Sequence, residues 1–201
     1  LTVGSPSTSI GFLNPNLKLR VKANGKNAPN LWFYGYGLDN GKSEGLYGNT
    51  DRNGAIAKNL ADGTYQFTIN PTGQEEPMVL TETIKVTVET GTVTSVIRNN
   101  NESITATSGG IYEINLPQPN LTGTIKYGDS SNYFEYIGSG SIFDLNNNIW
   151  VNGSQVFRSG SYGAKLENGR YAVIANINGR GLSATECTVN SPTANTCNLT
   201  I

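Results

Sequence analysis

The side chains that most often carry out acid–base or nucleophilic chemistry are scarce in this chain. Its 201 residues include no histidine, so the commonest general base and the commonest transition-metal ligand are both missing. A hydrolase would have to use paired carboxylates, and the candidate pairs are Glu75 with Glu76 and Glu82 with Glu89. All four stand in loop-like or alternating segments that are predicted to face solvent. We therefore predict a protein that is not an enzyme, with no catalytic residue and no cofactor.

One segment carries oxygen ligands at the spacing that begins a calcium-binding loop. Asp144, Asn146 and Asn148 place oxygens at positions i, i+2 and i+4. The rest of an EF-hand loop is missing, because Ile149 stands where glycine is needed and Gln155 stands where glutamate is needed. Asp and Asn also dominate ordinary turns for reasons of backbone geometry. We expect a turn here, with a calcium site as the alternative.

The richest candidate binding surface is aromatic. Strict alternation sends Trp32, Tyr34 and Tyr36 to one face of a predicted strand. Phe33 points to the other face. If the three-residue face is exposed, it forms a flat platform of the kind that stacks on sugar rings, whereas buried rings would belong to the core, which is their commoner use in strands. The second tryptophan, Trp150, is predicted to pack in the core or between domains.

The two cysteines, Cys187 and Cys197, lie almost symmetrically about Pro192. This spacing would set them opposite each other across a hairpin formed by residues 184–189 and 196–201. We predict that they form a disulfide, with two free buried thiols as the alternative. A disulfide implies an oxidising compartment, and so a secreted or cell-surface protein.

Composition and charge exclude several classes of partner. Fourteen Lys and Arg residues are balanced by 15 Asp and Glu residues, so no net field would attract nucleic acid or an anionic membrane. No apolar run approaches the roughly 20 residues of a membrane span. The first six residues lack the basic and apolar regions of a signal peptide, and we expect a chain that has been processed or excised from a longer one. With 24 glycines and no helix-forming runs, the composition favours an all-β protein.

An internal duplication organises the strands that must position these residues. The sequence Leu-Ala-Asp-Gly-Thr-Tyr at 60–65 returns as Leu-Glu-Asn-Gly-Arg-Tyr at 166–171, and Pro-Asn-Leu at 15–17 returns at 119–121. The first motif places a glycine-containing turn before a strand of alternating apolar residues. Within it, we expect Leu60 and Tyr65 to be buried and Asp62 to be exposed.

The duplication predicts two tandem antiparallel β-sandwich domains with an Ig-like or prealbumin-like fold. Residues 1–14 would end a preceding unit or form a linker. Residues 15–116, here called the first repeat, and 117–201, called the second repeat, would each form one sandwich. About 100 residues are enough for each to bury its own core.

The second repeat resembles a known kind of module. Its order is Pro-Asn-Leu-Thr-Gly-Thr-Ile at 119–125, an aromatic strand at 133–137, Trp-Val at 150–151, Gly-Ser-Tyr at 160–162, and the motif at 166–171. This order resembles the carboxypeptidase-regulatory-like repeats, which are similar to the B-type repeats of bacterial collagen adhesins. The resemblance covers nearly the whole chain from Pro15. The resemblance implies prealbumin-like sandwiches that serve as non-catalytic spacers, stalks or accessory domains in secreted and surface proteins of bacteria.

Some related adhesin domains join a lysine of the first strand to an asparagine of the last strand, assisted by a buried acid. The matching residues here are Lys18, Lys22, Lys126, Asn198 and Glu186. An amine must be buried and neutral to attack an amide, but these lysines fall on the polar phase of the alternation. The pattern therefore predicts solvated lysines and no such bond.

Two functions from different classes follow. The leading one is a structural spacer in a secreted or cell-surface, adhesin-like bacterial protein, with neighbouring domains of a longer chain as its partners. The alternative is a carbohydrate-binding or other ligand-binding module, accessory to a secreted enzyme or directed at a surface glycan or a host or matrix protein. The accessibility of Trp32 distinguishes the two functions.

Overall fold

The structure is a computed structural model, and it describes residues 14–39, 45–72, 75, 77–126, 139–151, 155–158, 160–177, 181–190 and 194–200. The described residues form strands and turns, with no helix among them. None of the described residues forms a helix that could span a membrane. The strand predicted at 133–137 and most of the predicted linker at 1–14 lie outside the described residues. The all-β class is confirmed.

The described residues of the first repeat contain nine strands, which are β1 (Leu17–Ala23), β2 (Lys26–Asn27), β3 (Trp32–Gly37), β4 (Tyr47–Asn49), β5 (Ala55–Lys58), β6 (Gly63–Asn70), β7 (Glu82–Glu89), β8 (Thr92–Arg98) and β9 (Tyr112–Asn115). One sheet has the order β2-β1-β5, and β9 also pairs with β1 in this sheet. The other sheet has the order β4-β3-β6-β7-β8.

The described residues of the second repeat contain nine more strands, which are β10 (Leu121–Lys126), β11 (Ser139–Asp144), β12 (Ile149–Trp150), β13 (Gln155–Arg158), β14 (Ser161–Ala164), β15 (Gly169–Ile177), β16 (Gly181–Val189), β17 (Asn195–Thr196) and β18 (Leu199–Thr200). One sheet has the order β13-β14-β10-β17, with β18 also on β10, and the other has the order β12-β11-β15-β16.

Apart from Met78 and Leu80, the buried apolar side chains fall into two clusters, one in each repeat. The first runs from Leu17 to Leu116 in the chain and the second from Leu121 to Leu199. Each cluster fills the space between the two sheets of its repeat, as in a β-sandwich. In β1, Leu17, Leu19 and Val21 point into the core while the intervening cations face outward, as the period of two predicts.

The first and last strands of each repeat pair in parallel, a feature that the sequence pattern did not indicate. Leu19 of β1 lies opposite Tyr112 of β9, and Ile125 of β10 lies opposite Leu199 of β18. The short strand β17 also pairs in parallel with β10, and the remaining strand pairs are antiparallel. The pairing with the first strand is parallel because the chain returns to that strand only after it has crossed to the other sheet and back. A parallel pair needs such a crossover rather than a hairpin.

Two hairpin turns of the first repeat share the same backbone geometry. Asn24 and Gly25 connect β1 to β2 with φ angles of 53° and 77°, and Thr90 and Gly91 connect β7 to β8 with 50° and 72°. Positive φ at both central residues is the requirement of a type I′ turn, whose twist matches that of the flanking strands.

Within each repeat, the Pro-Asn-Leu segment contacts the motif at 60–65 or 166–171, and the contact is the same in both repeats. The side chain of Asn16 accepts from the Leu60 amide at 2.9 Å and donates to the Leu60 carbonyl at 2.8 Å. Asn120 makes the same pair of bonds with Leu166, at 2.8 Å and 2.7 Å. The asparagine of each Pro-Asn-Leu segment therefore fixes the turn at the start of the motif at 60–65 or 166–171. We call this arrangement the asparagine clamp.

The tyrosine that ends each motif closes the same turn from inside. The hydroxyl of Tyr65 donates to the Ala61 carbonyl at 2.9 Å, and that of Tyr171 donates to the Glu167 carbonyl at 3.0 Å. Leu60 and Tyr65 are buried and Asp62 is exposed, so the predicted burial of this motif is confirmed.

The disulfide is present, but the hairpin predicted around it is wrong. Cys187 lies in β16, which pairs with β15, whereas Cys197 lies between β17 and β18 beside β10 of the other sheet. The amide of Cys197 donates to the Thr122 carbonyl at 2.9 Å. The bond therefore joins the two sheets of the second repeat across a Cα–Cα distance of 5.9 Å. The near symmetry about Pro192 does not reveal that the chain changes sheets there.

Candidate functional sites

The aromatic face of β3 points to solvent. Trp32 is 46% exposed, Tyr34 43% and Tyr36 36%. Phe33, on the opposite face, is buried in the core of the first repeat. Of the two arrangements that the sequence left open, the structure therefore has the exposed platform.

The neighbouring edge strand widens this platform. Tyr47 of β4 lies opposite Tyr34 in the sheet and is 61% exposed. Its ring centroid is 6.1 Å from that of Trp32, with an angle of 36° between the ring planes. We call Trp32, Tyr34, Tyr36 and Tyr47 the aromatic strip.

A row of uncharged polar side chains runs along the other side of the strip. Gln66, Thr68 and Asn70 of β6 lie opposite Tyr36, Tyr34 and Trp32, respectively. The Asn70 amide oxygen accepts from the Thr81 hydroxyl at 3.3 Å, and the Thr68 hydroxyl is 3.4 Å from that of Thr83. The face thus places amide and hydroxyl groups beside the rings.

Trp150 is 55% exposed, so the prediction that it packs in the core or between domains is wrong. It lies in the short edge strand β12, where its side chain packs edge-on against Phe143 with 5.0 Å between ring centroids. Alternation could not place it, because a two-residue strand has too few positions to show a period.

The connection between β6 and β7, residues 71–81, forms an arm that reaches the second repeat. Its Leu80 amide donates to the Pro117 carbonyl at 2.8 Å, and its Pro77 carbonyl accepts from the Asn24 side chain at 2.7 Å. The Asn24 side chain in turn accepts from Gln118 at 2.8 Å. The arm and the junction between the repeats are therefore hydrogen-bonded to each other and to β1's turn.

Met78 carries the arm's apolar contact with the second repeat. It is only 8% exposed, and a Cβ atom on Gly163 of β14 would lie 2.6 Å from its sulfur and 3.1 Å from Pro119. A side chain at 163 would therefore force Met78 and Pro119 to shift away from β14. The sequence offered a signal that the interpretation missed, since the chain's single methionine lies in a connection that is much longer than its counterpart at 178–180.

A polar cleft of about 550 Å³ lies between the repeats on another side of the junction. Glu82 and Arg98 form an ion pair in its wall, and Lys165 of the second repeat lies across from them. Burial raises the pKa of the Glu82 carboxyl and outweighs the opposing effect of Arg98. Glu82 is thus buried and paired, and the prediction that it faces solvent is wrong.

The carboxylate pairs proposed from the sequence are not brought together. Glu82 and Glu89 stand at opposite ends of the eight-residue strand β7, about 23 Å apart. The Glu75 carboxylate accepts from the amide and the hydroxyl of Thr72 at 2.9 Å and 2.7 Å. Glu76 lies outside the described residues.

The candidate calcium ligands lie in a turn that uses the Asp144 carboxylate itself. Its oxygens accept from the amides of Asn146 and Asn147 at 2.8 Å and 3.0 Å and from the Asn147 side chain at 2.8 Å. These hydrogen bonds, the one from the Asn147 side chain above all, lower the pKa of Asp144. Asn148 has a φ angle of 59°. Within the described residues, no cluster of three or more acidic or cysteine side chains could hold a metal ion.

The first-strand lysines are ion-paired or half-exposed. Lys22 donates to the Glu113 carboxylate at 2.7 Å and lies opposite Asn115 of β9, on the outward face of the sheet. In the second repeat, the Asn198 amide oxygen accepts from the amide and hydroxyl of Thr124 at 3.0 Å and 2.9 Å. Lys22 is thus engaged with a carboxylate, and Asn198 is engaged with Thr124.

No family model and no curated protein matches the chain. Among solved structures, it is similar to the shaft pilin SpaA from Lactobacillus rhamnosus GG, with 12% identity over 93% of this chain and 96% of that one and a TM-score of 0.31. BcpA, the major pilin subunit of Bacillus cereus, matches with 12% identity over 92% and 68% and a TM-score of 0.30. A major pilin from Streptococcus pyogenes matches with 10% identity over 92% and 95% and a TM-score of 0.22. Likeness at this level assigns no function, and the proposals below rest on the chain's own contacts.

Proposed function

We propose that residues 15–116 and 117–201 are two non-catalytic β-sandwich modules that together form a stiff spacer in a secreted or cell-surface protein. The observation that carries this proposal is the arm. A tandem of independent domains needs no contact beyond the segment that joins them. Here Met78 is buried beside Gly163, and the Leu80 amide is hydrogen-bonded to Pro117 at the junction. Neighbouring domains of a longer chain would be the partners of such a spacer.

The roles of the chemically active side chains support a non-catalytic reading. Glu82 is engaged with Arg98, Asp144 with the turn that follows it, and both cysteines with each other. Each of these groups is already engaged within the fold where it lies. A disulfide between the two sheets is also suited to an oxidising compartment outside the cytoplasm.

The stiffness of the junction is measured by nuclear magnetic relaxation of the backbone amides. We expect β6 and β15 in the full chain to report the same overall tumbling time. Met78→Asp places a charge in the apolar contact, and Gly163→Val fills the space that the arm occupies. Either change should separate the tumbling times of the two repeats while both stay folded.

The matched control is Leu182→Asp, which makes the same kind of change at a residue that is exposed on the second repeat. It should leave the common tumbling time unchanged. Separate tumbling of the two repeats in the unmodified chain would contradict the spacer proposal.

A further inference from the structure

We propose that the aromatic strip is a binding site for an uncharged polysaccharide chain. This function is separate from the spacer role, because the strip lies on the outer face of the first repeat, whereas the arm contacts the second repeat through Met78 and Gly163. Trp32 and Tyr34 of β3 and Tyr47 of β4 are among the most exposed large side chains of the described residues.

The strip is a shared surface rather than a set of unrelated exposed rings. Single exposed apolar residues are common and need no explanation, but a contiguous group marks an interaction site. Trp32 and Tyr47 come from different strands and still lie side by side. Phe33 already fills the core beneath them, so the outward rings are not required for packing within the repeat.

The spacing of the rings suits a linear chain of sugars. Side chains on one face of a strand recur about every 6.7 Å, so Trp32 and Tyr36 are about 13 Å apart along β3. This length exceeds that of a single pyranose ring, and the site therefore contacts consecutive sugars. The 36° angle between Trp32 and Tyr47 gives the rings a shallow, open arrangement in which their faces do not stack on one another. Such faces are free to stack on the C–H faces of sugars.

The polar flank supplies what a hydroxyl-rich ligand needs beside the rings. The amide groups of Gln66 and Asn70 follow the strip on β6, on either side of the buried Thr68. On the opposite side, Asn49 of β4 is held by a 2.9 Å hydrogen bond to Asn30. Binding sites for small ligands and sugar rings combine apolar surface with a few such fixed polar groups.

Charge selects the class of polysaccharide. Strands β3, β4 and β6 contain no charged residue, and the nearest charge in register on this face is Lys85, which lies opposite Gln66 on β7. A polysaccharide rich in uronate or sulfate would need several cations on the protein to balance its charge. A neutral polysaccharide needs none, so it can bind a neutral face without leaving a charge unpaired.

The test is affinity electrophoresis of the full chain through gels that contain barley β-glucan, xyloglucan, soluble starch or, as the charged probe, polygalacturonate. We expect at least one neutral polysaccharide to retard the protein and to quench its tryptophan fluorescence. Trp32→Ala should weaken the binding by about tenfold, equivalent to about 1.4 kcal/mol, because it removes the largest ring of the strip. Tyr34→Ala should weaken it less.

Trp150→Ala is the matched control, because it removes an exposed tryptophan from the edge strand β12 of the second repeat. It should leave the retardation unchanged, and thermal unfolding should show that both variants are folded. The proposal is overturned if no neutral polysaccharide retards the protein, if Trp150→Ala weakens binding as much as Trp32→Ala, or if polygalacturonate binds more tightly than the neutral chains. Self-association that Trp32→Ala abolishes, without glycan binding, would likewise overturn it and identify the strip as a protein interface.

Discussion

The two repeats share one set of contacts and differ in another. Both have the asparagine clamp and the tyrosine that closes the same turn. On the outward face of the first and last strands, the first repeat has a charged pair, Lys22 with Glu113, whereas the second repeat has the neutral pair of Thr124 and Asn198. The disulfide belongs to the second repeat.

A difference on the outward face of the first strand explains why the arm contacts the second repeat. The face that receives Met78 presents Gly163 beside Thr122. At the same register in the first repeat, Ala57 lies beside Lys18, a cation with a side chain too long for such close approach. A common scaffold thus carries two surfaces of opposite character, and only the neutral one accepts an apolar side chain closely.

The shared contacts should have the largest effect when they are broken. Tyr65→Ala and Tyr171→Ala each remove a buried ring and the hydrogen bond of its hydroxyl, at a cost of about 3–5 kcal/mol. Each change should destabilise its own repeat. Hydrogen exchange followed by mass spectrometry separates the two outcomes, with β6 reporting on the first repeat and β15 on the second. Equal loss of protection in both repeats would mean that the two sandwiches unfold as one.

The disulfide should distinguish the repeats more sharply. Replacing both Cys187 and Cys197 by Ala removes a cross-link with a sequence separation of 10 residues. The chain-entropy model assigns such a loop about 3 kcal/mol. We expect the loss to fall on β15 and β16, with the exchange of β6 unchanged. A reducing agent added to the unmodified chain provides the control, and a matching loss in the first repeat would contradict the assignment.

The part of the fold that could be predicted from the sequence is the part that both repeats share. The motifs at 60–65 and 166–171 follow local rules of turns and alternation, so burial of Leu60 and Tyr65 could be read directly. The contact of Met78 with Gly163 depends on residues that are far apart in the chain and on a position where glycine matters only because of its neighbour. No periodicity encodes such a contact.

The candidate sites divide in the same way. Alternation correctly placed Trp32, Tyr34 and Tyr36 on one face, but it could not show whether that face is covered, because coverage depends on what lies above the sheet. The partner of Cys187 was predicted correctly from the cysteine count, and its position was not, since the change of sheet before Cys197 leaves no local signal. The pairing of Glu82 with Arg98 likewise requires the register of β7 and β8.

The asparagine clamp should have an intermediate effect that is similar in the two repeats. Asn16→Ala and Asn120→Ala each leave the amide and carbonyl of a buried leucine without a partner, which costs about 1–3 kcal/mol. Thermal unfolding of each variant gives the loss. Asn14→Ala, an exposed asparagine just before the first Pro-Asn-Leu segment, serves as the control and should change little. A clamp that matters in one repeat alone would show that the shared geometry does not reflect a shared energetic role.

The charged pair of the first repeat should have the smallest effect, and it should depend on pH. The hydrogen bond from Lys22 holds the pKa of Glu113 below its ordinary value of 4.5. A carboxyl whose pKa is lower in the folded state stabilises the fold above its unfolded pKa, and this contribution is lost as the pH falls through the folded pKa. A double-mutant cycle of Lys22→Gln and Glu113→Gln should therefore show a favourable coupling at pH 7 that fades below pH 4.5. The corresponding cycle of Thr124→Val and Asn198→Ala contains no titratable group, so its coupling should stay constant over the same range. A coupling between Lys22 and Glu113 that persists in acid would show that the two side chains interact by packing rather than by charge.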